Sequence, residues 1–345
     1  MTLRHYHERV VPFEAGDGRA CNLIHIRGTT EPRRGPVVVV HGAGVRANIF
    51  RPPEQPSLVD ALIDAGYDVW LENWRASIDF PENRWTLDQA AIYDHPVAVK
   101  RVAAETGCDR VKAVVHCQGS TSFVMAAVAG LTPQVTTIVS NAVSLHPVIP
   151  RLSAIKLRYG VGAFRFLSDY MNPQWGKRAP TFPARMIDLL VRLTHHECDN
   201  AVCKHVSFTY GTGFPSLWSH ENLTPQTHDW IRDEFAFCPT AFLMQMARSV
   251  AAGRIVAVDG RPELPADVLQ HPPRTDARMV LIAGEKNYCF LPESQVRSYE
   301  YFNALRRDFH ALHVFPGYGH LDVWFGRNAH KDIFPVVIDE LNRTV

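Results

Sequence analysis

Short β-branched runs separated by helical stretches constrain the fold of this chain more than any other feature. The run Val37–Val40 does not alternate polar with apolar residues, which is typical of a strand buried on both faces, and further strands are predicted at Val111–Val115 and Thr136–Val139. Helical patterns lie between them and end at glycines such as Gly66 and Gly107. Because strands that alternate with helices form parallel sheets with right-handed crossovers, we predict an α/β fold with a mostly parallel, doubly covered sheet.

The alternation of predicted strands and helices stops after Pro150. Residues 151–272 have a helical and aromatic pattern, and alternation resumes at Arg278–Ala283. We therefore predict one α/β core formed by residues 1–150 and 273–345, interrupted by an inserted helical cap at residues 151–272.

Charge, hydropathy and cysteine content exclude several classes of protein. The chain has 36 Lys and Arg against 35 Asp and Glu, so no overall field attracts nucleic acid, and we expect no nucleic-acid partner. The longest apolar stretch, Phe123–Leu131, is about half a membrane span, and we expect no transmembrane segment. The seven cysteines are odd in number and widely spread, and the first residues resemble no secretory signal. Both features favour a reducing, cytoplasmic location.

A tight turn between a predicted strand and a predicted helix places Cys117 at its apex, with Gly119 two residues later. This is the context of a nucleophile elbow, the turn that carries the serine of a G-x-S-x-G motif. Here Cys117 replaces the serine and Val115 replaces the first glycine. The helix N-terminus beneath such a turn lowers the pKa of a thiol and presents backbone N–H groups to an oxyanion. A buried cysteine at the end of a strand, with no chemical role, is the alternative interpretation.

Three other strand ends carry residues that fit a nucleophile at this position. The motif HGAG at residues 41–44 follows an earlier strand, so we predict an oxyanion hole formed by the backbone N–H groups of Ala43 and Gln118. Asn287 follows the strand that ends at Gly284, and His320 follows the last strand. The order is that of nucleophile, orienting residue and base in hydrolases.

The orienting residue has three candidates. Asn287 stands where an aspartate is usual, and its amide can accept the N–H of His320 and fix the ring tautomer. Glu285 and Asp322 are the alternative acids, and each on its own is more typical of a solvated loop carboxylate. We predict Asn287 as the third member.

These motifs resemble those of the α/β-hydrolase superfamily, particularly its acid-lipase branch. The match is strongest in GYDVWLENWR at residues 66–75, HCQG at 116–119 and HLDVWFG at 320–326. The chain is also similar to lipase-like domains fused to bacterial flavin-dependent sterol-oxidase-type proteins, with a cysteine in place of the nucleophilic serine. The resemblance implies acyl-group chemistry under a helical cap.

The expected function is therefore hydrolysis of an ester or thioester through a Cys117 acyl-enzyme, with His320 as general base, as in an esterase, lipase or thioesterase. A thioester acyl-enzyme keeps enough free energy to pass its acyl group to an alcohol, amine or carbon nucleophile, so an acyltransferase or cyclase is the first alternative. A non-catalytic binding module is the second. The expected partner is a small hydrophobic acyl ester or thioester, including one bound to a carrier protein or to coenzyme A.

A group of histidines and cysteines lies in the predicted cap at His195, Cys198, Cys203 and His205. Its spacing matches no established zinc motif. We therefore predict neither a metal nor an organic cofactor.

Overall fold

The computed structural model describes residues 6–53, 56–211 and 216–343. Within these ranges ten strands are formed: β1 His7–Glu14, β2 Ala20–Arg27, β3 Pro36–Val40, β4 Asp68–Asn73, β5 Val111–His116, β6 Val135–Asn141, β7 Tyr170–Met171, β8 Cys238–Pro239, β9 Arg278–Gly284 and β10 Ala311–Phe315. Eight of them form one sheet in the order β1-β2-β4-β3-β5-β6-β9-β10. The six strands from β4 to β10 in this order run parallel, while β1 and β2 pair antiparallel at one edge. The predicted α/β fold is confirmed.

Helices connect the strands and cover the sheet. The α-helices are α1 Leu58–Asp64, α2 Leu87–Gln89, α3 His95–Thr106, α4 Cys117–Val128, α5 Arg151–Ile155, α6 Gly162–Phe164, α7 Phe182–Thr194, α8 Ala201–Tyr210, α9 Pro225–Trp230, α10 Thr240–Ala252, α11 Glu293–Leu305, α12 Asp322–Phe325, α13 Ala329–Asp332 and α14 Phe334–Asn342. Short 3₁₀ segments lie at Ala47–Phe50, Pro173–Gly176, His220–Asn222 and Ile231–Asp233, and π-helical turns at Ala90–Asp94 and Lys156–Val161. Among the described residues we find no helix whose length and apolar character would let it span a bilayer.

The burial of the central strands explains why they are formed by runs of apolar residues that can be recognised in the sequence. Every residue of β3 and of β9 is buried, as expected for strands covered by helices on both faces. Local hydrogen bonds and backbone conformations fix the ends of two of the covering helices. Ser57 forms a capping box with Asp60 at the start of α1, and Gly107 takes the left-handed conformation that ends α3.

The helical segment before Gly107 contains a proline, Pro96, and continues past it through a π-helical turn. Ala90–Asp94 widens the helix one turn before Pro96, which is the second residue of α3. Because proline has no N–H to donate, a wider turn at this point changes the hydrogen-bond pattern without ending the helix.

Helices α5 to α10 all lie between β6 and β9 along the chain. The only sheet within the predicted cap, residues 151–272, consists of β7 and β8 as far as the described residues go. The carboxyl ends of the parallel strands, where the predicted site residues lie, meet this segment. Its division from the core as a separate domain remains a prediction.

Candidate active site

Cys117 lies at a strained turn between β5 and α4. Its backbone φ is 55°, a left-handed conformation that residues other than glycine rarely adopt. A Cβ atom at Gly119 would lie 2.0 Å from the carbonyl oxygen of His41, and one at Gly42 would lie 2.9 Å from Cys117 Cβ. Both glycines are therefore required for the turn to approach the loop after β3. Such strain is maintained where the surroundings fix it, and it is frequent at functional sites.

Two backbone N–H groups point at the Cys117 sulfur. They belong to Gln118, at the start of α4, and to Ala43, in the loop after β3. The Tyr210 hydroxyl, which comes from α8, donates to the Ala43 carbonyl oxygen over 3.1 Å and holds this loop in place. The two donors predicted from the sequence thus converge on one point.

His320 lies beside Cys117. One ring nitrogen of His320, one of His116 and the Cys117 sulfur lie within 4.8 Å of one another. The His320 backbone is fixed on both sides: its N–H donates to the Leu217 carbonyl oxygen over 3.1 Å, and its carbonyl oxygen accepts from Asn141 Nδ2 over 2.9 Å. The side chain is fully buried.

Burial controls the protonation of both groups. Desolvation raises the pKa of the Cys117 thiol to about 12, although the two backbone N–H groups act in the opposite direction. Desolvation lowers the pKa of His320 to about 3. A neutral thiol and a neutral imidazole therefore face each other near pH 7. This arrangement favours a general base over a thiolate held at rest.

The hydrogen bond predicted between Asn287 and His320 is not formed. Asn287 Oδ1 accepts instead from the backbone N–H groups of Cys289 and Phe290, over 3.0 and 3.1 Å. Asn287 Nδ2 is buried and has no hydrogen-bond partner among the described residues. The same holds for both ring nitrogens of His320. The Asn287 amide is thus buried with its oxygen bonded and its nitrogen unpaired, and none of the described residues orients the imidazole through a hydrogen bond.

The two alternative acids are engaged elsewhere. Glu285 is exposed and accepts from the Gly317 N–H over 3.0 Å. Asp322 is buried and accepts from the Gly319 N–H over 2.8 Å and from Asn222 Nδ2 over 2.6 Å. In the described part of the chain neither carboxylate is hydrogen-bonded to the imidazole.

The Cys117 sulfur faces an apolar pocket between the sheet and the cap. Its walls are Gln118, Ile149, Ser153, Lys156, Leu157, Thr209, Tyr210, Phe242, Leu243, Met246, Cys289 and Phe290. A second cavity of about 290 Å³ lies further into the cap, and Lys156, Thr209 and Leu243 line both. The Lys156 ammonium donates to the carbonyl oxygens of Phe208 and Gly211, so its polar end is satisfied by backbone. The space beyond the sulfur is therefore suited to an apolar chain.

The contacts that hold the site together from the cap had no signal in the sequence. The Leu217 carbonyl oxygen and the Tyr210 hydroxyl act through backbone atoms of the core, which leave no motif. Only their position in the folded chain identifies them.

This arrangement of sheet, elbow and histidine loop is that of the α/β-hydrolase fold. Solved structures of esterases and lipases share the fold over nearly the whole chain. A lipase in its open form is similar with a TM-score of 0.56 at 15% identity, covering 98% of this chain and 100% of that one. A highly thermostable carboxyl esterase from Bacillus coagulans gives a TM-score of 0.56 at 14% identity, covering 97% and 98%. The resemblance predicted from the sequence is confirmed at the level of the fold.

Partial sequence matches point to the same enzymes, although no protein-family model matches the chain. Sterol esterase 2 of Saccharomyces cerevisiae is 28% identical over 134 residues, covering 34% of this chain and 25% of that protein. Lipase member K of Homo sapiens is 33% identical over 145 residues, covering 38% and 34%. Lipase member M of Homo sapiens is 26% identical over 215 residues, covering 56% and 49%. The chain thus matches a quarter to a half of the length of these relatives.

Proposed function

We propose that this protein is an acyl-ester hydrolase of the esterase or lipase kind that forms an acyl-enzyme on Cys117. The observation that carries the proposal is the convergence of two N–H donors and a histidine on one strained cysteine at an apolar pocket. The names of the partially matched relatives, a sterol esterase and lipases, support the same reaction class.

Acylation follows from the positions of these groups. The Cys117 thiol attacks the ester carbonyl carbon, and His320 takes the thiol proton as the S–C bond forms. The carbonyl oxygen becomes an oxyanion and accepts hydrogen bonds from the N–H groups of Ala43 and Gln118. Collapse of this intermediate breaks the bond to the leaving alcohol, which takes the proton back from the imidazolium.

Deacylation repeats the sequence with water. His320 removes a proton from the water as it attacks the thioester, and the same two N–H groups hold the second oxyanion. The S–C bond breaks, the free acid leaves, and the imidazolium returns its proton to Cys117. Since burial lowers the pKa of His320, the base is neutral and available down to acidic pH.

Asn287 remains our proposed orienting residue. Asn287 is fully buried and its Nδ2 is unpaired among the described residues, although its Oδ1, like the carboxylates of Asp322 and Glu285, already accepts from backbone N–H groups. A rotation of the amide on substrate binding, at the expense of its bonds to the following loop, would let Oδ1 accept the ring N–H of His320.

A water-insoluble acyl ester is the substrate class that best suits the cap. A set of large apolar side chains is exposed there: Leu152, Ile155, Tyr159, Phe166, Leu167, Phe182, Met186, Leu189, Leu190 and Leu193. Leu190 also lines the inner cavity, which shares wall residues with the pocket at the sulfur. Residues 151–193 carry eight Lys and Arg but two Asp, so the surface suits a lipid aggregate with anionic groups. Carrier-bound or coenzyme A thioesters are the alternative donors.

A non-catalytic hydrolase-like binding module is the second candidate, favoured by the unpaired ring nitrogens of His320. An acyltransferase differs from the hydrolase only in the acceptor that resolves the acyl-enzyme.

Intact mass spectrometry separates the three functions. The protein is incubated with p-nitrophenyl esters and acyl thioesters of graded chain length, alongside Cys117→Ala and the control Cys108→Ala, which removes a distant thiol. A hydrolase gives a transient acyl adduct on Cys117 and free acid in the wild type and in Cys108→Ala. An adduct that persists until an alcohol or amine is added indicates an acyltransferase. Ester binding with no adduct and no product refutes an acyl-enzyme and indicates a binding module.

A further inference from the structure

Four side chains outside the candidate active site form a cluster of metal-binding type. Cys198 follows α7, Cys203 is in α8, His220 begins a 3₁₀ turn and His228 is in α9. One ligand atom from each lies within 4.8 Å of all the others. The sequence grouped these two cysteines with His195 and His205 instead, but His205 Nε2 pairs with Asp188 at 3.0 Å.

We propose that Cys198, Cys203, His220 and His228 bind one Zn²⁺ ion as a closed structural site. Two thiolates and two imidazoles are a usual ligand set for structural zinc. Tetrahedral zinc with bonds of about 2.3 Å to sulfur and about 2.0 Å to nitrogen places neighbouring ligand atoms about 3.3–3.8 Å apart. Cys203 Sγ and His220 Nε2 are already 3.3 Å apart. The other pairs of ligand atoms lie within 4.8 Å of each other, so each pair has to close by no more than about 1.5 Å to reach these separations.

Burial and unmet hydrogen-bonding capacity support a ligand at this place. Cys203 is fully buried, and the other three residues are partly buried. His228 Nε2 is buried and has no hydrogen-bond partner within the described chain. An unpaired buried nitrogen destabilises a protein, and a bound cation would use its lone pair.

The backbone around the cluster is held by a residue that contacts two of the ligands. Asn200 Oδ1 accepts from the Cys203 N–H over 3.1 Å, and Asn200 Nδ2 donates to the His228 carbonyl oxygen over 2.6 Å. The ligand-bearing segments are thus fixed to one another by hydrogen bonds, as in sites whose geometry is set before the metal binds.

The cluster is connected to the histidine loop of the active site. His220 belongs to the segment 217–222, whose Leu217 carbonyl oxygen accepts from the N–H groups of His320 and Leu321 over 3.1 and 2.8 Å. At the other end of this segment, Asn222 Nδ2 donates to the Gly317 carbonyl oxygen over 2.9 Å. Zinc at His220 would therefore stabilise the segment that positions His320.

Metal binding has a defined proton balance. Zn²⁺ binds the thiolate form of each cysteine, so any proton that the Cys198 and Cys203 sulfurs hold in the metal-free protein is released on binding. A disulfide between Cys198 and Cys203 is the competing chemistry, since it would consume the same thiols. In this structure both cysteines are free.

The test begins with the metal content of the whole protein purified without chelator. We expect about one zinc per chain, and Co²⁺ exchanged into the site should give the intense visible bands of tetrahedral cobalt and a sulfur-to-cobalt charge-transfer band. Calorimetry of zinc binding to the chelator-treated protein in buffers of different ionisation enthalpy should show a net release of protons.

Variants locate the site. Cys203→Ser and His228→Ala should weaken Co²⁺ binding at least about 10-fold. Cys108→Ser and His196→Ala, a partly exposed cysteine and an exposed histidine outside the cluster, should leave it unchanged. Since either ligand variant could fail to fold, the cobalt spectrum of the wild type is the decisive measurement.

The absence of bound zinc together with no thiolate–cobalt spectrum would overturn the proposal. So would a Cys198–Cys203 disulfide in non-reducing peptide mapping of freshly purified protein. Zinc loading can succeed in a protein without acyl transfer, so this result and the outcome for Cys117 are independent.

Discussion

Gly284, the last residue of β9, should be essential for activity although it lies outside the catalytic group. A Cβ atom at this position would lie 2.0 Å from the Gly319 carbonyl oxygen and 2.3 Å from that of Tyr318. Real Cβ atoms essentially never approach closer than 3.0 Å, so the loop before His320 must move by at least 3.0 − 2.0 = 1.0 Å in Gly284→Ala.

A displacement of this size at the general base predicts a large kinetic effect. A shift of about 1 Å in a catalytic group costs about 100-fold, and we expect that loss in kcat/KM on a p-nitrophenyl ester. The added methyl group should also lower the free energy of unfolding by about 1–3 kcal/mol through overpacking. Chemical denaturation measured beside the kinetics separates the two effects.

Gly35→Ala is the matched control. A Cβ atom there would lie 3.8 Å from the Arg110 carbonyl oxygen, an ordinary contact, and both activity and stability should stay close to wild type. Wild-type kcat/KM in folded Gly284→Ala would refute the link between this glycine and the histidine loop. An equal loss in Gly35→Ala would do the same.

Further predictions concern the reacting groups themselves. Cys117→Ser should keep the fold and lose most of kcat/KM, because a hydroxyl is much harder to deprotonate than a thiol and no carboxylate of the described residues is hydrogen-bonded to His320. Wild-type kinetics would disprove a specific need for the thiol. Since burial lowers the pKa of His320 to about 3, the imidazole stays neutral above that pH, and a fall in kcat/KM centred near its usual 6.5 would contradict this. Asn287→Asp retains an acceptor for the backbone N–H groups of the following loop and places a carboxylate near the imidazole, which should raise the pKa of His320 and move the acid limb to higher pH. Glu285→Gln should leave the acid limb of the pH–rate profile unchanged. If Glu285→Gln moved the acid limb and Asn287→Asp did not, Glu285 would be the orienting residue.

The parallel-sheet topology explains why much of the candidate site could be predicted from the sequence. Cys117, Ala43 and His320 lie far apart along the chain, yet each follows a strand of the same parallel sheet. Because such strands end at one edge, a motif at each strand end is enough to bring the residues together. The glycines at positions 42 and 119 mark the same close approach.

Side-chain orientation and contacts from the cap could not be predicted in this way. Asn287 has the expected position, but its carbonyl oxygen closes the local turn with Cys289 and Phe290, and a competition between two hydrogen bonds has no sequence signature. Similarly, the contact between Cys203 and His220 depends on how separate segments pack. His205 is nearer to Cys203 in the sequence, but its side chain pairs with Asp188 instead.

The hydrogen bonds from segment 217–222 to the His320 loop have a consequence for assembly of the active protein. The backbone N–H groups of His320 and Leu321 donate to Leu217, which lies in the predicted cap. The turn that carries Cys117 is formed by residues of the predicted core. A chain whose cap is nicked, unfolded or exchanged for that of another hydrolase would keep a formed nucleophile but lose the support of its base. Transplanting this cap as a separate specificity module should therefore fail unless residues 217–222 and the loop they bind are moved as one unit.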